Sequence, residues 1–194
     1  MQLNQNRPTD RASSRRLAGL LGRLARDRSA NSLIEFAYAL PILLTLGMYG
    51  IELAYMATVS MQISQIANAT ADNASRLGQA DNSAVAPTIT NRDIDSVLTG
   101  AMKQGDGISF SANGRIILSS LEKDSATGRQ FIHWQRCRGS AKKTSNYELQ
   151  GYGLTGTTIT GLGKPTKIIS AGSSTTGVMF VEAFFNYRPL FGNM

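Results

Sequence analysis

Two glutamates that bound a long apolar stretch carry the strongest chemical signal in this chain. Residues 36–51 contain no charged side chain, and Glu35 and Glu52 lie at the two ends of this run. In a helix the two carboxylates would be about 25 Å apart along the axis, whereas a hydrocarbon core is about 30 Å thick. Ionisable groups at such depth usually mark a function or a pairing. We therefore expect Glu35 and Glu52 to pair or to act in assembly within a membrane, unless tilt and thinning place them at the interfaces.

Pro41 lies inside the same stretch and is the third candidate assembly residue. Its ring removes the helical hydrogen bond to the carbonyl of Ala37, which predicts a kink or a loosened segment. Membrane helices tolerate such a break when neighbouring helices or waters satisfy the freed carbonyl.

The residues that usually carry catalysis or metal binding are sparse. His133 is the only histidine and Cys137 the only cysteine. On one strand they would share a face but lie about 13 Å apart, too far for a nucleophile–base pair or a shared metal. A single cysteine also excludes an intramolecular disulfide, although an intermolecular one stays open. We expect no catalytic site, no metal and no cofactor.

Two glycine motifs and one tryptophan suggest other ligands, but their contexts are wrong. Residues 151–156 read GYGLTG, which fits G-x-G-x-x-G without the following helix that a dinucleotide site needs. Pro165 follows Lys164 where a P-loop requires Ser or Thr. Trp134 is followed closely by Arg136 and Arg138, and a buried core position explains it better than stacking on a nucleic acid. We expect neither nucleic acid nor a small-molecule substrate as a partner.

The basic charge is concentrated at the N-terminus. The net charge is +7, and residues 1–30 supply +5 of it through seven arginines and two aspartates. The apolar span from Leu33 to Met56 has 24 residues and would form a helix about 36 Å long, enough to cross a bilayer. Because the arginines precede the span, the positive-inside rule places the N-terminus in the cytoplasm. A cleaved secretory signal and a soluble core helix are the competing interpretations.

The junction around Glu35 resembles that of type IV pilin precursors. The residues from Ala30 to Phe36 read ANSLIEF, with a basic segment before them. In the family a small residue, usually glycine, precedes the cut, and glutamate is the fifth residue of the mature chain. The resemblance implies that a prepilin peptidase cuts between Ala30 and Asn31. It also implies that Glu35 pairs with the new terminal amine of a neighbouring subunit.

The chain as a whole resembles members of the TadE-like family. These proteins are minor pseudopilins of the Tad (Flp pilus) assembly system. Four stretches carry this resemblance, namely SLIEFAYALP (32–41), GIEL (50–53), WQRCRG (134–139) and VMFVEAFFNYRPLF (178–191). It implies a membrane-anchored assembly or initiation subunit whose partners are the prepilin peptidase, other pseudopilins, pilin and inner-membrane pilus assembly proteins. An unprocessed single-pass protein with a periplasmic binding domain is the alternative.

Beyond the membrane, the sequence predicts a helix that continues to about residue 77 and ends at Gly78. Its apolar face is expected to be Val59, Ile63, Ile66, Thr70, Ala74 and Leu77. After a polar loop at 81–90, Thr90 and Asp93 predict the capping box of a short helix with Ile94, Val97, Leu98 and Met102 on one face. Strands are predicted at 108–111, 115–118, 131–138 and 178–187, with a hairpin turn at Asn113-Gly114. Residues 139–174 are predicted to form a long loop with at most one short strand.

These patterns predict an α+β, pilin-like fold: a long N-terminal transmembrane and amphipathic helix packed on a small antiparallel sheet, crossing the membrane once. Residues 1–30 would form a basic cytoplasmic leader, 31–58 a transmembrane helix and 59–194 a periplasmic α+β domain. The expected location is a bacterial inner membrane.

Overall fold

A computed structural model describes residues 28–77 and 89–192, together with the backbone of Gly19 and Gly22. The chain divides into two compact units, Met1–Glu52 and Leu53–Met194. Most of the expected basic leader lies outside the described residues, as do Gly78 and residues 81–88 of the expected polar loop.

Helix α1 spans Arg28–Ser75 and belongs to both units. Its apolar part, from Asn31 onward, is long and apolar enough to cross a membrane. Nearly all of residues 31–51 are exposed, unlike the core helix of a soluble protein, which is buried by the rest of its own chain. The helix ends at Ser75, two residues before the predicted end.

The second half of α1 is amphipathic and packs on its own unit. Its buried residues recur at intervals of three to seven, which keeps them on one face of the helix. The predicted stripe is confirmed. Val59, Ile66, Thr70 and Ala74 are buried. Ile63 and Leu77 are partly buried and pack against the core cluster to which Ile66 and Ala74 belong.

Helix α2, Asn91–Gln104, begins at the predicted capping box. The Asp93 backbone N–H donates to the Thr90 hydroxyl, and the Thr90 backbone N–H donates to the Asp93 carboxylate at 2.9 Å. Two N–H groups at the helix start are thereby satisfied. The helix stops at Gly105, and its predicted apolar face packs into the core through Ile94, Val97, Leu98 and Met102.

The strand predicted at 108–111 and the hairpin turn at Asn113-Gly114 are both wrong. A 3₁₀ turn, Asp106–Ile108, and helix α3, Phe110–Asn113, occupy this region. Ser109 joins them with a φ of 53°, a left-handed conformation that an alternating strand cannot contain. Phe110 is completely buried, so the apolar residues here fill a corner of the core and form no strand.

Three antiparallel strands form the main sheet in the order β2-β1-β5, with β1 at Gly114–Lys123, β2 at Gln130–Arg138 and β5 at Val178–Phe185. The strands predicted at 131–138 and 178–187 are confirmed within two residues, whereas 115–118 is only part of the ten-residue β1. The described residues therefore form an α+β fold, with a long apolar helix and a small antiparallel sheet.

The sheet is covered on both faces. Ile116 and Leu118 of β1 face the helices, where they join Ile66, Leu98 and Phe110 in one buried cluster. On the opposite face, a second cluster contains Leu121, Ile132, Leu162 and Ala171.

The segment 139–174 is more structured than the sequence predicted. It contains two short paired strands, β3 at Leu162–Lys164 and β4 at Lys167–Ile169. Ala141, Leu162 and Ala171 are buried, which makes this segment the cover of the second sheet face. Its high Gly, Ser and Thr content hid this role because only a few apolar residues do the packing.

Candidate assembly and membrane-contact sites

Glu35 lies on the exposed, apolar part of α1. Its Oε1 accepts a hydrogen bond from the side-chain amide of Asn31 at 3.0 Å, one helical turn away. The neighbouring side chains Ile34, Phe36 and Tyr38 are more than half exposed. The carboxylate is therefore presented on an apolar surface with an uncharged partner from its own helix.

The amide of Asn31 was not singled out from the sequence, where this residue is only the expected start of the processed chain. An Asn and a Glu four residues apart on a helix are neighbours in space, so the spacing itself was the available signal.

Pro41 does not end the helix, which is assigned without a break from Arg28 to Ser75. The hydroxyl of Thr45 donates to the carbonyl of Pro41 at 2.7 Å, a side-chain bond to the preceding turn of the helix. Pro41 is thus accommodated within a continuous span.

Glu52 lies at the other end of the uncharged run and is half-buried, between the exposed Ile51 and Leu53. Glu35 and Glu52 are on the same helix, 17 residues apart, which corresponds to about 25 Å. The fold therefore does not bring the two glutamates together.

His133 and Cys137 have separate partners. His133 Nδ1 lies 2.8 Å from Glu122 Oε2, and Glu122 Oε1 accepts from the buried Ser120 hydroxyl at 2.7 Å. Because the carboxylate stands between the other two groups, the histidine cannot deprotonate the serine. Cys137 is exposed, and its Sγ accepts from Arg115 at 2.8 Å. The β1–β2 register shifts beside His133, which interrupts the expected alternation with Cys137.

The residues of the G-x-G-x-x-G motif form a tight crossing beside β2. The Gly151 N–H donates to the Ile132 carbonyl, and the Tyr152 carbonyl accepts from the Ile132 N–H. The guanidinium of Arg129 donates to the carbonyls of Gly153 and Gly156 at 3.1 and 2.6 Å. The motif's backbone is therefore used to anchor the 139–174 segment to the sheet edge.

Arg136 and Arg138, which flank Cys137, tie the edge strand β2 to α2. Arg138 donates to Asp95 at 2.5 Å and to the Thr99 hydroxyl at 3.0 Å, while Arg136 donates to Asn91 at 3.3 Å. Trp134 of the same strand is half-buried and packs against the cluster that contains Ile66 and Phe110, so the expected core position is only partly confirmed. The WQRCRG stretch thus fastens a helix to a strand.

A cleft of about 300 Å³ opens between α2 and β2. Its lining combines apolar side chains with the amide of Asn91, the carboxylate of Asp95 and the guanidinium of Arg136.

The Arg138–Asp95 ion pair is partly exposed to solvent, and such pairs contribute little to stability.

A buried carboxylate fixes the 139–174 segment to β5. Glu182 is 8% exposed, and it accepts from the Ser145 hydroxyl at 2.6 Å and from the Asn146 backbone N–H at 2.9 Å. Hydrogen bonds to a charged acceptor are stronger than neutral ones. Sequence reasoning missed this contact because its partners are 36 and 37 residues apart.

Two exposed carboxylates have pKa values set by local turns. The side-chain hydrogen bond from Thr90, followed by the bond from the Thr90 backbone N–H, lowers the pKa of Asp93 from its ordinary value. The side-chain bond from Thr127, followed by its backbone bond, lowers the pKa of Asp124 in the same way. Both groups cap a helix or a turn.

Within the described ranges, 28–77 and 89–192, no three His, Cys, Asp or Glu side chains lie close enough to hold a metal. No family model, curated protein or solved structure matches the chain. The case for function therefore rests on the residues and their geometry.

Proposed function

We propose that this protein is a TadE-like minor pseudopilin of a Tad (Flp) pilus assembly system. It is an assembly or initiation subunit anchored by one helix in a bacterial inner membrane. Its N-terminus is cytoplasmic, and its α+β domain is periplasmic. The observation that carries the proposal is the two-part α1, whose first half exposes apolar residues around Glu35 and whose second half packs on the sheet.

This division of α1 suits a subunit that assembles through its membrane helix. The exposed first half offers apolar surface to lipid and to neighbouring helices, between which van der Waals contacts and polar bonds drive association. The buried stripe of the second half belongs to the core of the second unit, Leu53–Met194, which we call the head.

Glu35 supplies the specific contact in this proposal. Cleavage between Ala30 and Asn31 by a prepilin peptidase creates an amine that pairs with Glu35 of a neighbouring subunit. The Asn31 amide holds the carboxylate at 3.0 Å before that amine arrives. An ion pair formed within the membrane leaves neither of its two charges unpaired. Removal of one partner would leave the other charge unpaired in an apolar environment, which is energetically costly.

The test replaces each membrane glutamate in turn, in cells that carry a Tad assembly system. Glu35→Gln is expected to stay in the membrane but to lose co-purification with pilus assembly subunits, because an amide cannot pair with the terminal amine as an ion. Glu52→Gln is the matched control on the same helix, and we expect a weaker effect. Unchanged association of the Glu35→Gln protein would contradict the proposed pairing.

The cleft beside α2 favours a second candidate function, an unprocessed single-pass protein whose periplasmic domain binds a ligand. Its lining combines Ile94 and Leu98 with the polar side chains of Asn91, Asp95 and Arg136, although Arg136 already donates to Asn91 and Asp95 already accepts from Arg138. In this case the basic leader would be permanent, and Glu35 would tolerate substitution without loss of partners.

A further inference from the structure

The C-terminal segment, residues 187–192, lies beside α1 just beyond its uncharged run. The ring of Tyr187 lies against the ring of Tyr55, with 5.9 Å between their centroids and 45° between their planes. Tyr55 is one helical turn after Ile51, the last residue of the uncharged run. Tyr187, the first residue of the segment, thus contacts α1 near the C-terminal end of the apolar span.

This segment exposes apolar side chains. Leu190 is 53% exposed and Phe191 is 37% exposed, and they follow the exposed Arg188 and Pro189. On α1 itself, Leu53 and Met56 are 44% and 48% exposed. Exposed apolar side chains therefore follow Tyr187 in the sequence and lie close to Tyr55 on α1, and exposed apolar residues of this kind are typical of a site that contacts a partner or an apolar solvent.

The residue types match the interface of a bilayer. Tyrosine rings concentrate at the headgroup level, where one end of the ring is apolar and the other can hydrogen-bond. Leucine and phenylalanine bury their side chains at the boundary of the acyl chains, and arginine attracts anionic headgroups. Residues 187–192 contain all of these types and no acidic residue.

We propose that residues 187–192 form a membrane-contact segment that rests on the outer leaflet of the inner membrane. Leu190 and Phe191 enter the headgroup boundary, Arg188 binds anionic phosphate, and the Tyr55–Tyr187 pair marks the interface. The segment thereby adds a second membrane contact to that of the single helix. This inference rests on the proposed membrane span.

The test uses the full chain in vesicles of phosphatidylethanolamine with phosphatidylglycerol, and measures depth by nitroxide quenching of a fluorescent label. Cys137→Ser removes the native thiol, and single labels are then placed by Phe191→Cys, Leu44→Cys or Leu154→Cys. Leu154 is the matched control, because it is 42% exposed and belongs to the segment that covers the other sheet face.

A nitroxide on the headgroup is expected to quench the label at 191 severalfold more than the label at 154. A nitroxide deep in the acyl chains is expected to quench the label at 44. Quenching at 44 with none at 191 would overturn the membrane contact and leave the span intact. Absence of quenching at 44 would overturn the span and, with it, the inference as stated.

A second measurement protects against a local effect of the new cysteine at 191. Labelling through Leu190→Cys should give the same headgroup-level quenching. Arg188→Gln should shift the balance between bound and released segment by about fivefold in phosphatidylglycerol vesicles, and by much less in phosphatidylcholine. Equal effects of Arg188→Gln in both lipids would contradict binding to anionic headgroups.

Discussion

Replacing Ile66 by alanine tests whether the second half of α1 is part of the head's core. Ile66 is 1% exposed and packs in the helix-side cluster with Phe110 and Leu98. The change removes three carbons at about 0.8 kcal/mol each, and the cavity left behind adds to this, so we expect a loss of about 3–4 kcal/mol. With a urea dependence of about 2 kcal/mol per molar, the midpoint should fall by about 1.5–2 M.

The assay is urea unfolding of the full chain in detergent micelles, followed by the fluorescence of Trp134, which packs on the same cluster. Met61→Ala is the control, because Met61 is on the same helix and 56% exposed. It should change stability by no more than about 0.5 kcal/mol. Equal midpoints for the Ile66→Ala and Met61→Ala proteins would refute the packing described above.

Three further predictions concern the head. Gly153→Ala should destabilise it more than Gly151→Ala, because a Cβ at 153 would lie 2.3 Å from a backbone oxygen whereas 151 faces open space, and φ is positive at both; chemical denaturation of both variants measures the difference. Asp93→Asn should lower stability at neutral pH, and the difference from wild type should shrink as pH falls through the lowered pKa of Asp93 in the folded protein; unfolding at several pH values measures this difference. Ser145→Ala removes a donor to buried Glu182 and should cost about 1–3 kcal/mol, seen as faster amide exchange in 139–174; unchanged exchange would contradict that anchor.

The sequence predicted best where burial follows a simple period. The stripe from Val59 to Leu77 has helical spacing over several turns. The capping box of α2 is formed by two residues only three positions apart, Thr90 and Asp93. Strand β5 was also predictable, since it is rich in aromatic and β-branched residues. Each of these signals is local, so it needs no knowledge of the tertiary fold.

The failures came from contacts between distant residues. The alternating pattern around Phe110 is typical of a strand. In the fold, Phe110 instead begins a short helix, and its buried side chain packs directly against Gly105. The cover formed by 139–174 depends on Glu182 meeting Ser145, and on Arg129 meeting the carbonyls of Gly153 and Gly156. Composition and periodicity cannot encode such pairings.

In the candidate site, too, the sequence indicated the unusual residues but not the contacts that they make. Glu35, Pro41 and Glu52 stood out because charge and proline are unusual in an apolar span. The Asn31 amide bond and the Tyr55–Tyr187 contact needed atomic positions, because the first depends on side-chain rotamers and the second joins residues that are far apart in the sequence.

The N-terminal mass of the chain, co-expressed with and without a prepilin peptidase, tests the proposed function most directly. The account predicts a start at Asn31 only when the peptidase is present, and loss of that product when Ala30 is replaced by a bulky residue. An intact Met1 start in both conditions would contradict processing and, with it, the pseudopilin proposal.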